Sequence, residues 1–261
     1  MVPALAAGLE AHLLRRFRRR SSGLDTAAPA HAADVVSSNI VGYEKLNLTA
    51  NSFVMGGIQF VGVGNTAVTL ADLFAGEDIP FGTEIRFLND EGRYVYYKYV
   101  ADAFDEDTEE EMAGWADGDG LVASDPVLNG DGFWISSPQN YAITQAGQVD
   151  GRSSVKLTLS ADDFHMVCNP FPTGFNPNEV TWSQTPPVGT EIRVLNSKGQ
   201  YQYFKYQSDA FDEETEEELA GWADGDGLYV KNDIAGVGQG FWIKVPGQSL
   251  EVTISTPIAS N

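Results

Sequence analysis

The segment Gly82 to Leu121, GTEIRFLNDEGRYVYYKYVADAFDEDTEEEMAGWADGDGL, returns at Gly189 to Leu228 as GTEIRVLNSKGQYQYFKYQSDAFDEETEEELAGWADGDGL, with about three-quarters of its positions identical. Any fold for this chain must therefore accept one unit twice. Weaker matches extend the repeat: KLNLTANSFVMGGIQF from Lys45 pairs with KLTLSADDFHMVCNPF from Lys156, and GDGFWIS pairs with GQGFWIK. The offset changes only between matched blocks, where loops absorb length. This places two domains at residues 38–149 and 150–261, with a polar junction from Gln148 to Ser154.

Within each copy the pattern is that of strands. Thr83–Leu88 and Arg93–Tyr99 are rich in β-branched and aromatic residues and flank Asn89-Asp90-Glu91-Gly92, a glycine-containing hairpin loop; Asn196-Ser197-Lys198-Gly199 repeats it. Further strands are expected at Lys45–Leu48, Ser52–Phe60, Gly132–Ile135 and Tyr141–Thr144, with counterparts in the second copy. Tyr94 and Tyr96, like Tyr201 and Tyr203, share a period-two face and read as packing residues. Helix is scarce. Thr108-Glu109-Glu110-Glu111 and Thr215-Glu216-Glu217-Glu218 fit a capping box, predicting a helical turn or two before Gly114 and Gly221, and Leu70–Phe74 is a second candidate. The fold class is all-β: two tandem homologous sandwich- or barrel-like domains, each with a short helical insertion.

Charge narrows the partners. The chain carries 37 acidic against 16 basic residues, a net charge of −21, which repels nucleic acid and anionic membrane surfaces. Cations, neutral glycans and further copies bridged by divalent ions remain open. No segment approaches a span of about 20 apolar residues, so membrane insertion is not expected. The lone cysteine, Cys168, allows no intrachain disulfide. Residues 1–32 differ from the rest: five arginines follow an apolar start, and Ala30-His31-Ala32 has the small-x-small form of a leader cleavage site. Export to the cell surface or beyond is the expectation.

Catalytic chemistry finds little to stand on. The folded part has one histidine, His165, matched by Val54 in the other copy; with Cys168 it has zinc-ligand spacing but no second pair to complete the site. No glycine-rich phosphate loop precedes a helix. The better candidates lie in the acidic connection. Asp102, Asp105, Asp117 and Asp119, and their counterparts Asp209, Asp212, Asp224 and Asp226, bracket Trp115 and Trp222, with glycines that let the backbone bend. Oxygen ligands at alternating positions suit Ca2+, yet Leu121 and Leu128 stand where an EF-hand loop from Asp117 needs ligands. Two readings follow: an irregular calcium site, or solvated turns whose aspartates serve backbone geometry. Trp115 and Trp222 are either core residues or exposed sugar-stacking platforms. Phe133-Trp134 and Phe241-Trp242 read as core strand pairs.

The Ser38-Asn39-Ile40-Val41-Gly42-Tyr43 opening, Cys168-Asn169-Pro170-Phe171, and the Pro-x-Gly-Thr-x-Ile, Gly-x-Tyr, Gly-Trp and Gly-x-Gly-Phe-Trp motifs together resemble a group of secreted bacterial repeat proteins of unassigned activity. The resemblance covers about residues 30–255 and implies an extracellular or cell-surface location; it transfers no catalytic residue. The first copy departs from it, with Gly57-Ile58-Gln59-Phe60 where Asn-Pro-Phe is expected. The functional expectation is a non-enzymatic structural or interaction protein, self-assembling into a surface layer or fibre. The alternative is a lectin-like, calcium-dependent carbohydrate binder.

Overall fold

The computed structural model describes residues 40–256. The leader-like segment 1–32 and the Ser38-Asn39 start of the opening motif lie outside them. The described chain is almost wholly β, in four antiparallel sheets.

The first half supplies β1 (Val41–Leu48), β2 (Val54–Gly57), β3 (Phe60–Val61), α1 (Leu70–Leu73), β4 (Glu84–Leu88), β5 (Tyr94–Asp105), β6 (Glu110–Ala116), β7 (Gly132–Ser136) and β8 (Tyr141–Val149). The second supplies β9 (Ser154–Leu159), β10 (Phe164–Cys168), β11 (Thr181–Trp182), β12 (Glu191–Leu195), β13 (Tyr201–Asp212), β14 (Glu217–Ala223), β15 (Gly240–Lys244) and β16 (Leu250–Ser255). Each half forms a five-stranded sheet, β2-β7-β4-β5-β6 or β10-β15-β12-β13-β14, and a three-stranded one, β1-β8-β3 or β11-β16-β9. Every sheet draws on one half alone.

The two five-stranded sheets repeat each other residue for residue. Ile85 lies opposite Tyr97 as Ile192 lies opposite Phe204, and both long hairpins slip register at the same place, between Val100 and Ala103 and between Gln207 and Ala210. Each half is a β-sandwich-like unit over its own core. Leu48, Phe60, Ile85, Trp115, Phe133 and Ile135 are buried in the first, and Leu159, Phe171, Ile192, Trp222, Phe241 and Ile243 fill the matching places in the second. Alternation along the strands produces this: every second side chain faces the core, and the apolar ones hold those positions.

The sandwiches differ where their sequences have drifted. The third strand of the small sheet is β3 in the first half, directly after β2, but β11 in the second, from an unrelated loop. The expected Ser52–Phe60 strand is broken into β2 and β3 by Ile58-Gln59. The helix expected at Leu70–Phe74 is present as α1, capped reciprocally by Thr69 and Asp72. The other expected helices, after Thr108 and Thr215, are not formed. Asp105 to Glu109 is instead a tight turn with Glu109 in the left-handed region at φ 59°, and the glutamates continue as strand β6; Glu216 and β14 repeat this. Hairpin pairing with β5 and β13 overrides the local capping signal.

The halves meet at the β2–β7 and β10–β15 strands, where β10 lies against β7, β2 and β4, and β15 against β2 and β7. Asp131 bridges Val167 across the boundary, and the Cys168 N–H donates to the Gly130 carbonyl at 2.8 Å. Gln59 stands where the second copy has Pro170. Its buried amide donates to the carbonyls of Asn169 at 3.0 Å and Phe171 at 2.8 Å, tying the first half to the second. Asn169, in the copy that keeps the motif, turns inward to its own loop, donating to the Thr173 and Gly174 carbonyls.

Candidate functional site

The eight acidic candidates are not gathered into a metal centre. Among the described residues no group of three or more His, Cys, Asp or Glu side chains is placed to hold a metal ion. Four of them accept hydrogen bonds from backbone N–H groups of their own turns. Asp117 Oδ1 accepts the N–H groups of Asp119 at 2.9 Å and Leu121 at 3.0 Å, and Asp224 Oδ1 accepts those of Asp226 and Leu228 at 3.0 Å. Asp105 and Asp212 accept the N–H two residues on. Asp102, Asp119, Asp209 and Asp226 are exposed. Asp105, Asp117, Asp212 and Asp224 thus cap turns, a use of these side chains that needs no ion. Millimolar calcium is expected to leave the melting temperature within about 1 °C. A rise of several degrees with calcium, absent with magnesium, would restore the metal reading.

Trp115 and Trp222 are core residues, 3% and 0% exposed, so neither ring is open to a sugar. Tyr99 and Phe74 enclose the first, Tyr206 and Trp182 the second. Both indole N–H groups lack a hydrogen-bond partner, the same omission in both copies. His165 places a ring nitrogen 3.2 Å from the Ser160 carbonyl, at the edge of the second sheet.

The outward aromatic surface lies elsewhere, on residues assigned from sequence to packing. Trp134, Arg86 and Tyr96 stand directly opposite one another across β7, β4 and β5, and Trp242, Arg193 and Tyr203 do so across β15, β12 and β13. Phe133 and Phe241 do enter the core, but alternation sends Trp134 and Trp242 to the other face, partly exposed. Tyr94, Tyr96, Tyr201 and Tyr203 are likewise exposed rather than packed inside. Each arginine is held rigidly: Arg86 donates to Glu84 and lies 4.4 Å from the centre of the Phe53 ring, while Arg193 donates to Glu191 and lies 4.5 Å from that of Phe164. Stacking and ion pairing together fix the guanidinium planes. Strand alternation alone sets Trp134 and Trp242 on the face opposite Phe133 and Phe241; treating each Phe-Trp pair as a unit conceals it.

Two clefts flank the contact between the halves and correspond when the halves are exchanged. One, of about 570 Å3, lies between Leu88, Glu91 and Tyr94 of the first half and Asp163, Phe164 and Trp242 of the second. The other, of about 630 Å3, sets Leu195, Lys198 and Gly199 against Ser52 and Phe53. In the first, Trp242 Nε1 donates to the Tyr201 hydroxyl at 3.2 Å, fixing both rings. Neither cleft is complete in a single repeat.

Comparison with protein-family models, with curated proteins and with solved structures gives no match. No helix among the described residues is long and apolar enough to cross a membrane.

Proposed function

We propose that this chain is a non-enzymatic, exported interaction protein that presents two like aromatic faces to an extended partner or to further copies of itself at the cell surface. One observation carries the reading. The same tryptophan–arginine–tyrosine row is directed outward in both halves, at identical register. Large rings with polar ends, held rigid by an ion-paired arginine, bury much area at little entropic cost and are characteristic of contact surfaces. Two like faces on one scaffold add avidity, or link copies head to tail.

Assembly into a layer or fibre is the sharper form of the proposal. Light scattering and electron microscopy across protein concentration test it, with polymers expected for the unaltered chain and a monomer for the Trp134→Ala/Trp242→Ala double variant. A second reading, carbohydrate binding, is favoured by the mixed character of the 570 Å3 cleft, where carboxylates rim aromatic rings. A monomer that retains neutral oligosaccharides on an array, and loses them at least tenfold in the double variant, supports that reading over assembly. A chain that neither polymerises nor binds glycans through these rings refutes both forms.

A further inference from the structure

In the second half, the ammonium of Lys231 lies 2.6 Å from Asp212 Oδ1 and 2.7 Å from Glu214 Oε2. Its hydrogen bond to Asp212 holds that carboxyl below its ordinary range. The repeat register puts Asp105, Asp107 and Ser124 at the corresponding three places in the first half. The turn that presents the carboxylates is the same in both. The Asp107 N–H donates to Asp105 Oδ1 at 2.9 Å and the Glu214 N–H to Asp212 Oδ1 at 2.8 Å, and Glu109 and Glu216 share a φ of 59°. The difference is the tethered cation. With serine in place of lysine, a cleft of about 170 Å3 opens between Asp105, Asp107, Phe104 and Ser124.

We propose that this cleft receives the ammonium group of a lysine side chain carried by a partner polypeptide, held by Asp105 and Asp107 as Lys231 is held by Asp212 and Glu214. The chemistry is already present in the molecule, because the equivalent positions bind a primary ammonium in the second half. Phe104, 40% exposed, lines the cleft and gives the methylene stem of an incoming lysine an apolar surface to cover. The molecular field selects the carrier. With 37 acidic and 16 basic residues the chain draws basic polypeptides. An ammonium, with three donors on one atom, is satisfied by two or three acceptors, whereas a calcium ion needs six or more oxygens. The proposal goes beyond the aromatic faces and uses none of their residues, so either can fail alone.

The test is an amide-resolved NMR titration of the full chain with Nα-acetyl-lysine methylamide at constant ionic strength. Saturable shifts are expected at Asp105, Asp107 and Ser124, with a Kd in the millimolar range, and none with the glutamine analogue. Ser124→Lys, which copies the second half, should abolish those shifts and raise the melting temperature by roughly 2 °C. Lys231→Ser should open a second site, with new saturable shifts around Asp212 and Glu214. Shifts spread evenly over the acidic surface, a titration unchanged by Ser124→Lys, or no second site in Lys231→Ser would each overturn the assignment. So would self-association that Ser124→Lys abolishes in a chain that does not respond to the lysine probe, since the cleft would then belong to a second copy.

Discussion

Replacing Gly240 with alanine is expected to lower the melting temperature by up to roughly 10 °C. Gly240 opens β15 and Gly132 opens β7 at matching places, where the two halves touch. A methyl group at Gly240 would run into the Gly56 carbonyl oxygen, and one at Gly132 would lie 2.8 Å from the Val167 nitrogen and 2.9 Å from its oxygen. These obstacles are backbone atoms held in sheets, so no rotamer change relieves them. Overpacking of this kind costs about 1–3 kcal/mol, and each kcal/mol moves the melting temperature by about 2–4 °C in a chain of this size. Gly225→Ala is the matched control, because nothing lies within 4 Å of its added methyl and its backbone is not left-handed. Calorimetry should place the control within about 2 °C of the unaltered chain. If Gly240→Ala melts there too, the halves do not approach this closely in solution.

That contact marks the limit of what the sequence discloses. The duplication and the alternation of apolar residues carry the strand content, and they are legible because a strand facing a core on one side needs period two. The hairpin turns are legible for a similar reason: Gly92 and Gly199 adopt φ values of 72° and 73° that favour glycine. The capping box after Thr108 and Thr215 is a misleading local signal, since the glutamates pair in hairpins with β5 and β13. The outward rows are hard to read for a different reason. Tyrosine and tryptophan suit a buried and an exposed sheet face equally, and composition does not say which. Alternation from the core residues Phe133 and Phe241 gives the face, and the register completes each row by setting Trp134 opposite Arg86 and Trp242 opposite Arg193. The clefts could not be inferred at all, since each joins segments from both repeats and the sequence does not reveal how the repeats dock.

Asp131→Asn is expected to stabilise the protein at neutral pH by up to about 3 kcal/mol and to remove that gain in acid. Asp131 sits at the docking contact, just before β7, where burial pushes its carboxyl up to about 6; the charge of Asp90 adds to the rise, and the Leu128 N–H, donating at 3.1 Å, opposes it. The sign follows from proton binding. In the unfolded chain the group titrates near its ordinary value of about 3.9, so between that value and about 6 the folded state binds more protons. The stability this group contributes is complete below about pH 4 and is lost as the pH rises through 6. At pH 7.5 the folded protein therefore holds a charge that its surroundings disfavour. The second half indicates that a neutral amide fits here. Gln239 occupies the corresponding place, where its oxygen accepts the Gly236 N–H at 3.0 Å and its amide donates to the Leu195 carbonyl at 2.6 Å. Asparagine keeps the acceptor that Leu128 requires and sheds the charge. Denaturant unfolding of both proteins at about pH 4 and pH 7.5 isolates the effect, because all other carboxylates titrate in both. The difference between them should be near zero in acid and reach its full size at neutral pH. An equal difference at both values would mean that the carboxylate is not destabilised at this contact.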